Sequence, residues 1–202
     1  LMQQNCHIDE IIVIDDGSND NTQEVAQQFP VTLLSHPTNR GIAEARNTAV
    51  SHARNRLIAS LDADCVPQPA WLGTLVKTML ENRYDAAGGP VIEPDELSSR
   101  ADQWRGLHMP QHWGPHEMAH PPFLYGANLI AKKEAIIAAG FYKPFYKTNY
   151  EDVAMSRALT ENGYELYYTP AAGVYHQRRD TIPSVIRTFW NWHYHVHRRH
   201  DS

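Results

Sequence analysis

The hydrophobic residues of the chain recur in two alternating patterns. Short runs of β-branched and other apolar residues predict strands, and segments with apolar residues three or four positions apart predict helices. The runs that predict strands are 11–14, 31–34, 57–61, 86–92, 124–131 and 165–169. The segments that predict helices are 22–29, 41–54, 69–81, 132–139, 151–162 and 182–197. Strands that alternate with helices in this way indicate an α/β fold with a mostly parallel central sheet flanked by helices.

The segment 93–122 interrupts this alternation. It is rich in proline, histidine and tryptophan, and it predicts no regular element. His116 and His120 match the H-E-x-x-H pattern of zinc peptidases, which requires one continuous helix. Pro121 and Pro122 follow at once and disfavour a helical conformation at His120. The sequence therefore argues against a zinc peptidase.

Length and composition narrow the class of protein. The chain has 202 residues, which suits one domain with a sizeable core. Its net charge of −5 does not suit a nucleic-acid-binding protein, and no apolar run approaches the roughly 18 residues that span a bilayer. Cys6 and Cys65 lack the spacing of a zinc site, and we interpret them as free thiols in a reducing compartment. We therefore expect a cytoplasmic protein.

Carboxylates follow two of the predicted strands. Asp15 and Asp16 come directly after the run 11–14, and Asp62 and Asp64 come after the run 57–61. In open α/β sheets, ligands bind beyond the carboxyl ends of the strands. Asp62 and Asp64 point the same way in an extended segment, so together they suit a hard divalent cation. The alternative interpretation of this Asp-x-Asp pair is a solvated turn.

Five segments in the same order resemble family 2 glycosyltransferases with the GT-A fold. These segments read "DDGSNDNT", "NRGIAEARN", "LDAD", "GAN" and "YEDVAMSRALTENGYELYYTPAAGVYH". The resemblance covers about residues 8–176 and implies a single domain over 1–202. It divides that domain into a nucleotide-binding half over 1–92, an acceptor-side half over 93–181 and a C-terminal amphipathic helix over 182–202.

The resemblance implies a nucleotide site and a metal site. The nucleotide-binding residues would be Asp15, Asp16, Gly17, Ser18, Arg46 and Asp62. The ligands of Mn²⁺ or Mg²⁺ would be Asp64, Asp62 and His176. Two alternatives stay open at this point: Arg46 could form a structural ion pair with Asp15 or Asp16, and His176 could be an ordinary histidine at a strand end.

The resemblance also implies the residues that carry the chemistry. Asp152 would be the base that accepts a proton from the acceptor hydroxyl, with Glu151 as a supporting or acceptor-binding group. Gly126, Ala127 and Asn128 would form a backbone turn near the donor sugar and the acceptor. The alternative for Glu151 and Asp152 is that they only complement the dipole at a helix N-terminus.

The function implied is a metal-dependent, inverting transfer of a sugar from a nucleotide-diphosphate donor to an acceptor hydroxyl. The alternative is a truncated or degenerate domain of the same fold without catalysis. The resemblance implies a further strand before the run 11–14, placed between that run and 57–61. We expect the chain to lack this strand and to leave two inner strand edges unpaired. A nucleotidyltransferase would usually need a glycine-rich N-terminal loop with a lysine, which the sequence does not have.

The segment 182–202 predicts an amphipathic helix. Its apolar stripe consists of Ile182, Val185, Ile186, Phe189 and Val196, with Trp190 and Trp192 beside it and Arg198 and Arg199 at its end. Such a helix either packs on the domain or lies at an anionic membrane surface. The acceptor would be a carbohydrate or a lipid-linked molecule, and the site of action would be the inner face of the cytoplasmic membrane.

Overall fold

The computed structural model describes residues 1–94 and 99–197, with side chains described up to residue 193. Its strands are β1 (Ile12–Asp15), β2 (Thr32–Ser35), β3 (Leu57–Leu61), β4 (Cys65–Pro67), β5 (Ala86–Gly88), β6 (Val91–Ile92), β7 (Met118–Ala119), β8 (Asn128–Lys132), β9 (Leu166–Tyr168) and β10 (Val174–His176). Its helices are α1 (Thr22–Ala26), α2 (Ile42–His52), α3 (Trp71–Asn82), α4 (Arg100–His108), α5 (Lys133–Ala138), α6 (Glu151–Glu161) and α7 (Ile182–His197). The predicted α/β class is confirmed.

The central sheet has five strands in the order β3-β8-β5-β9-β7. It is mixed rather than mostly parallel, because β8 runs antiparallel to both of its neighbours and β7 runs antiparallel to β9. Only β5 and β9 pair in parallel within this sheet. The alternation of strands and helices did not reveal this reversal, since the chain turns back within the segment that predicted no regular element.

Two smaller sheets contain β1 and β10, which end in the predicted site residues Asp15 and His176. β1 and β2 form a parallel pair, and β10 lies between β4 and β6. Among the strands that the structure describes, β1 pairs only with β2 and β3 pairs only with β8. The inner edges of β1 and β3, which were expected to be unpaired, therefore have no partner among the described strands.

The core lies on both faces of the central sheet. Leu129 and Ala131 of β8 pack into one apolar cluster with residues of α2, α5 and α6. Ile130, between them in sequence, packs into a second cluster with Trp71 and Leu75 of α3. This alternation follows from the two-residue period of a strand, which turns successive side chains to opposite faces. Helices therefore cover both faces, as in other three-layer α/β domains.

The structure differs from the sequence-based prediction at several element boundaries. The run 86–92 divides into β5 and β6 at Gly89 and Pro90, where a Cβ on Gly89 would fall on the carbonyl of Ala172. The predicted strand over 124–131 begins only at Asn128. Near His120, the H-E-x-x-H match is not helical, since it contains β7 and His120 itself has a φ of 55°.

A helix that the apolar pattern did not predict, α4, occupies part of the segment 93–122. Ser99 caps it by accepting a hydrogen bond from the amide of Asp102 at 3.0 Å. Two of the residues that this helix buries, Asp102 and Arg105, are charged, so its buried face is not apolar. Helix α4 packs against α7. Among the described helices, none is both long and apolar enough to cross a membrane.

Candidate functional site

A cavity of about 510 Å³ lies beyond the ends of β3 and β10, between the start of α6 and the inner side of α7. Seven of the predicted site residues line it: Arg46, Asp62, Asp64, Ala127, Glu151, Asp152 and His176. The fold therefore assembles, around one space, residues that are more than one hundred positions apart in the sequence.

The pairing of β10 with β4 brings Asp64 and His176 together. His176 lies opposite Cys65 in the antiparallel register, and the amide of Gln177 donates to the carbonyl of Asp64 at 2.6 Å. As a result, Nε2 of His176 lies 3.5 Å from Oδ2 of Asp64. The His176 side chain is buried, whereas the Asp64 side chain is about half exposed. This geometry presents a carboxylate and an imidazole side by side at the cavity wall.

The charges around His176 change its acidity and that of Asp64. Burial alone would lower the pKa of His176, but the nearby carboxylates of Asp64 and Glu93 outweigh it and raise the pKa to about 9. The hydrogen bond from His176 is the largest influence on Asp64 and lowers the pKa of its carboxyl group. In the protein without a cation, His176 is therefore protonated at neutral pH.

Arg46 connects the strand end that carries Asp62 to the helix that carries the predicted base. Its guanidinium donates to Asp62 at 3.1 Å and also to Glu151, and it lies 5.7 Å from the centre of the Tyr142 ring. The structural ion pair left open for Arg46 is thus present, but with Asp62 and Glu151 rather than with Asp15 or Asp16. A Cβ on Gly126 would overlap this guanidinium, so a larger residue at that position would displace the Arg46 side chain.

Asp152 is held at the first turn of α6 by two backbone amides. Gly126 N–H donates to its Oδ2 at 2.9 Å, and Val153 N–H donates to its Oδ1 at 2.8 Å. Tyr150, immediately before the helix, has a left-handed conformation with a φ of 71°. A bulky residue in this region stores backbone strain, which is typical of functional sites. The Gly126 turn and the predicted base are therefore one structural unit.

Glu151 has one oxygen on Arg46 and one that is not satisfied within the protein. Its side chain is 4% exposed, and Oε2 has no hydrogen-bond partner in the part of the chain that the structure describes. Nδ2 of Asn149, which also lines the cavity, is buried and similarly unsatisfied within the same part of the chain. Buried polar atoms without partners are costly, so a hydroxyl-bearing ligand or water at this wall would satisfy them.

The nucleotide-binding residues predicted at the end of β1 are Asp15, Asp16, Gly17 and Ser18. In the part of the chain that the structure describes, they do not line this cavity. Asp15 is buried and accepts from the Ser18 amide at 2.9 Å and from Gln23 at 2.6 Å. Hydrogen bonds from Ser18 are the largest influence on Asp15 and lower the pKa of its carboxyl group. Gly17 has a φ of 78° and lies against the backbone of residues 38–39, where a Cβ would clash.

Asp16 organises the loop before α2. Its carboxylate accepts from the ring of His36 at 2.6 Å and from the amides of Arg40 at 2.9 Å and Gly41 at 2.7 Å. Burial favours a raised pKa at Asp16, but these hydrogen bonds outweigh burial and lower the pKa. The four residues 15–18 therefore form a rigid turn, and their contact with a nucleotide stays a prediction.

Asn128 supports the Gly126 turn from a buried position. It is fully buried, and its side chain accepts from Trp71 Nε1 at 2.7 Å and donates to the carbonyls of Pro90 and Ala172 at 2.9 and 2.8 Å. The amide of Asn128 donates to the carbonyl of Tyr125 at 2.9 Å, which closes the turn that contains Gly126. Asn128 thus holds the backbone turn that the sequence predicted, and its side chain does not reach the cavity.

Many residues of the cavity wall were not predicted from the sequence to line a site. They include Gln111, Tyr125, Arg178, Thr188, Asn191 and Trp192. Three of them belong to α7, whose apolar pattern had indicated only a packing or membrane-contacting helix. Arg178 and Arg179 are consecutive arginines two residues beyond His176, and this pair was the sequence signal that could have indicated Arg178.

The donor atoms at this wall fit a hard divalent cation. Among the side chains of residues 1–94 and 99–193, no group of three or more His, Cys, Asp and Glu is arranged to hold a metal by itself. The Asp64 carboxylate and the His176 imidazole are adjacent, with the Asp62 carboxylate on the same wall. Mn²⁺ and Mg²⁺ accept such a small set because phosphate oxygens and waters complete the shell.

Comparison with known proteins identifies the family. The model of glycosyl transferase family 2 matches residues 1–141 of this chain, which is more than half of it. The chain therefore belongs to that family. Glycosyltransferase AglE of Haloferax volcanii is 27% identical over 168 residues, which cover 79% of this chain and 53% of AglE. The chain thus spans about half the length of that relative.

Solved structures with this fold are also glycosyltransferases. The mannosyltransferase PcManGT from Pyrobaculum calidifontis, in complex with GDP-Man and Mn²⁺, has a TM-score of 0.68 and 21% identity. That match covers 92% of this chain and 53% of PcManGT. GalNAc-T7 with UDP, GalNAc and Mn²⁺ has a TM-score of 0.65 and 19% identity, over 84% of this chain and 38% of GalNAc-T7. These similarities show the GT-A fold.

The Arg46 ion pairs generate a prediction about stability. Arg46→Ala would leave the Glu151 carboxylate buried and uncompensated, and we expect a loss of about 3 kcal/mol in the free energy of unfolding. Arg40→Ala is the matched control, since its pair with Glu44 is exposed and contributes at most about 1 kcal/mol. Urea denaturation measures both values.

A double variant isolates the cause of the loss. Arg46→Met combined with Glu151→Gln removes the unpaired buried charge, and we expect it to recover part of the stability lost in Arg46→Ala. A double variant no more stable than Arg46→Ala, or an Arg46→Ala loss equal to that of Arg40→Ala, would contradict this account of the ion pairs.

Proposed function

We propose that this protein is a metal-dependent, inverting glycosyltransferase that uses a nucleotide-diphosphate sugar. The observation that carries the proposal is the cavity itself, which is lined by Asp62, Asp64 and His176 together with Asp152. A transferase of this kind needs a cationic site for the leaving diphosphate and a base for the acceptor hydroxyl. Family membership supports the same chemistry.

The donor end of the proposed site consists of the strand ends. Asp62 and Arg46 lie at the cavity, and residues 15–18 form the neighbouring rigid turn. The bound GDP-Man and UDP of the two structural neighbours support a nucleoside diphosphate as the donor's leaving group. Mn²⁺ in both neighbours supports a divalent cation held by Asp64, His176 and Asp62.

The proposed mechanism is a single displacement. A bound Mn²⁺ or Mg²⁺ would supply charge neutralisation for the departing diphosphate. Asp152 accepts the proton of the acceptor hydroxyl while its oxygen bonds to the anomeric carbon and the bond from that carbon to the diphosphate breaks. The amides of Gly126 and Val153 keep the Asp152 carboxylate in one orientation throughout. One displacement on one carbon inverts its configuration.

Glu151 contributes through its two oxygens. One oxygen is fixed by Arg46, which keeps the start of α6 against the end of β3. The second, unsatisfied oxygen accepts a hydrogen bond from a hydroxyl of a bound sugar in this proposal. Such a contact orients the substrate, because a hydroxyl fixed by a buried acceptor loses its rotational freedom.

A truncated or degenerate domain of this fold, which has no catalysis and no longer holds nucleotide, is the second candidate. The described sheets support it, because β1 and β3 belong to different sheets and share no strand between them. The retention of Asp62, Asp64 and Asp152 around one cavity supports the enzyme. Nucleotide titration with and without Mn²⁺ separates the two, since only the first candidate requires cation-dependent binding.

The acceptor is a carbohydrate or a lipid-linked molecule in this proposal, with the chain working at the inner face of the cytoplasmic membrane. Three residues four positions apart on α7, Ile182, Ile186 and Trp190, are 63%, 62% and 67% exposed. Leu107 of α4 adds a further exposed apolar side chain. An exposed apolar stripe on a helix that also lines the cavity suits contact with a lipid surface.

Asp64→Ala tests the cation site. We expect it to abolish the Mn²⁺-dependent part of UDP or GDP binding, because the half-exposed Asp64 carboxylate is a ligand and has little part in packing. Asp85→Ala, at a carboxylate paired with Lys132 away from the cavity, should leave that binding unchanged. Calorimetric titration with and without Mn²⁺ measures both, and an unaltered Mn²⁺ dependence in Asp64→Ala would remove this assignment.

The stripe on α7 generates a prediction about membranes. We expect Ile182→Asn combined with Ile186→Asn to weaken binding to phosphatidylglycerol-containing vesicles roughly tenfold or more, because burial of each side chain contributes about 1.5–3 kcal/mol. Leu80→Asn, at an exposed leucine of α3, is the control. Co-sedimentation at low and high salt measures the binding. Arg198 and Arg199 lie outside the described residues, so their predicted contribution stays a prediction.

A further inference from the structure

A buried set of charges lies directly behind His176. Nδ1 of His176 is 3.0 Å from Oε1 of Glu93, on the opposite side of the ring from Asp64. Glu93 in turn accepts from Arg105, at 3.2 Å on Oε1 and 2.6 Å on Oε2. Arg105 is 2% exposed, which makes it one of the most buried large side chains described in the protein.

The protonation of this set follows from its chemistry. Both oxygens of Glu93 accept hydrogen bonds from the Arg105 guanidinium, a pairing that holds the side chain as a carboxylate. An ionised carboxylate can only accept hydrogen bonds, so Nδ1 of His176 must carry a proton. The remaining nitrogen, Nε2, is the one that faces Asp64 and the cavity.

Arg105 is itself held from two directions. Asp102 lies one turn before it on α4, 3.5 Å away, and Asp180 accepts from the same guanidinium nitrogen. The Asp180 amide donates to Asp102 at 2.7 Å. Arg105 also donates to the carbonyl of Arg178 at 3.2 Å. The guanidinium therefore cannot move without breaking contacts with both α4 and the segment between β10 and α7.

We propose that Glu93, fixed by Arg105, is a positioning residue that orients the His176 ring so that Nε2 points at the cation site. A histidine that ligates a metal usually donates its other ring N–H to a carboxylate or carbonyl, which fixes the ring orientation and raises the basicity of the ligating nitrogen. The inference rests on the proposed cation site, and it gives α4 a role in that site although α4 does not reach the cavity.

The alternative is that the buried charged side chains around Arg105 only attach α4 to α7. Under that alternative, changes at Glu93 alter stability and leave the cation affinity intact. Glu93→Gln separates the two, because it has the same shape and leaves Arg105 paired with Asp102 and Asp180. A carboxamide carries no negative charge and cannot accept from His176 and from both Arg105 donors at once, so the contact that fixes the ring is weakened.

The primary measurement is the affinity for Mn²⁺, from the electron paramagnetic resonance signal of free Mn²⁺, with Mn²⁺ alone and with Mn²⁺ plus UDP or GDP. We expect Glu93→Gln to bind Mn²⁺ roughly 10- to 100-fold more weakly, the range typical for loss of such a partner. Glu10→Gln is the control, since Glu10 has a comparably buried side chain paired with Arg54 and does not line the cavity. If Glu93→Gln does not fold, Glu93→Asp replaces it in this measurement, because it keeps the charge but has a shorter side chain.

A second measurement uses the protein without metal. In ¹⁵N-histidine-labelled wild type we expect a slowly exchanging Nδ1–H proton of His176, assigned by its absence in His176→Gln. We expect this signal to shift or disappear in Glu93→Gln and to remain in Glu10→Gln. A purely structural role in joining α4 to α7 would not require this signal to depend on Glu93.

The outcomes are distinguishable. Wild-type protein that does not bind Mn²⁺ overturns the proposed cation site and, with it, this role of Glu93. Wild type and Glu93→Gln with equal Mn²⁺ affinity overturn the role of Glu93 alone. A weaker affinity with an unchanged Nδ1–H signal of His176 also overturns it, because the loss would then not pass through the ring.

Discussion

The guanidinium of Arg46 joins the strand end that carries Asp62 to the helix that carries Asp152, and the geometry of the candidate site depends on this contact. A buried carboxylate such as Glu151 is costly without a cation beside it, so Arg46 holds the start of α6 against the end of β3. Gly126 has no side chain to displace the guanidinium, and its amide donates to Asp152. One buried charge thus fixes the strand end, the turn and the predicted base relative to one another.

The charges around the cavity suit a ligand that binds together with a cation. Four carboxylates line the cavity, those of Asp62, Asp64, Glu151 and Asp152. Arg46 is paired with Asp62 and Glu151, Arg178 is paired with Asp180, and His176 lies between Asp64 and Glu93. A diphosphate alone would meet repulsion from Asp64, whereas a diphosphate with a divalent cation would not. This is the physical reason for requiring a metal in the proposed reaction.

The sequence directed attention to Asp62 and Asp64, which line the cavity, because carboxylates after apolar runs are visible locally. It did not reveal α4, because that helix buries Asp102 and Arg105 and so lacks an apolar stripe. It did not reveal the partners of Arg46 either, since Glu151 is 105 residues away and no local pattern reports such a distance. The direction of β8 and the buried role of Asn128 likewise depend on contacts that only the folded chain brings together.

Real-time proton NMR of the transfer reaction tests the central claim most directly, with the nucleotide sugar selected by the binding experiments as donor. The account predicts that wild-type protein converts an α-linked donor to a β-linked product. It predicts that Asp152→Asn, which keeps the shape of the side chain, loses at least about 100-fold in rate while still binding the nucleotide with Mn²⁺. Retention of the α configuration, or an Asp152→Asn rate equal to that of wild type, would contradict the assignment of Asp152 as the base of an inverting transfer.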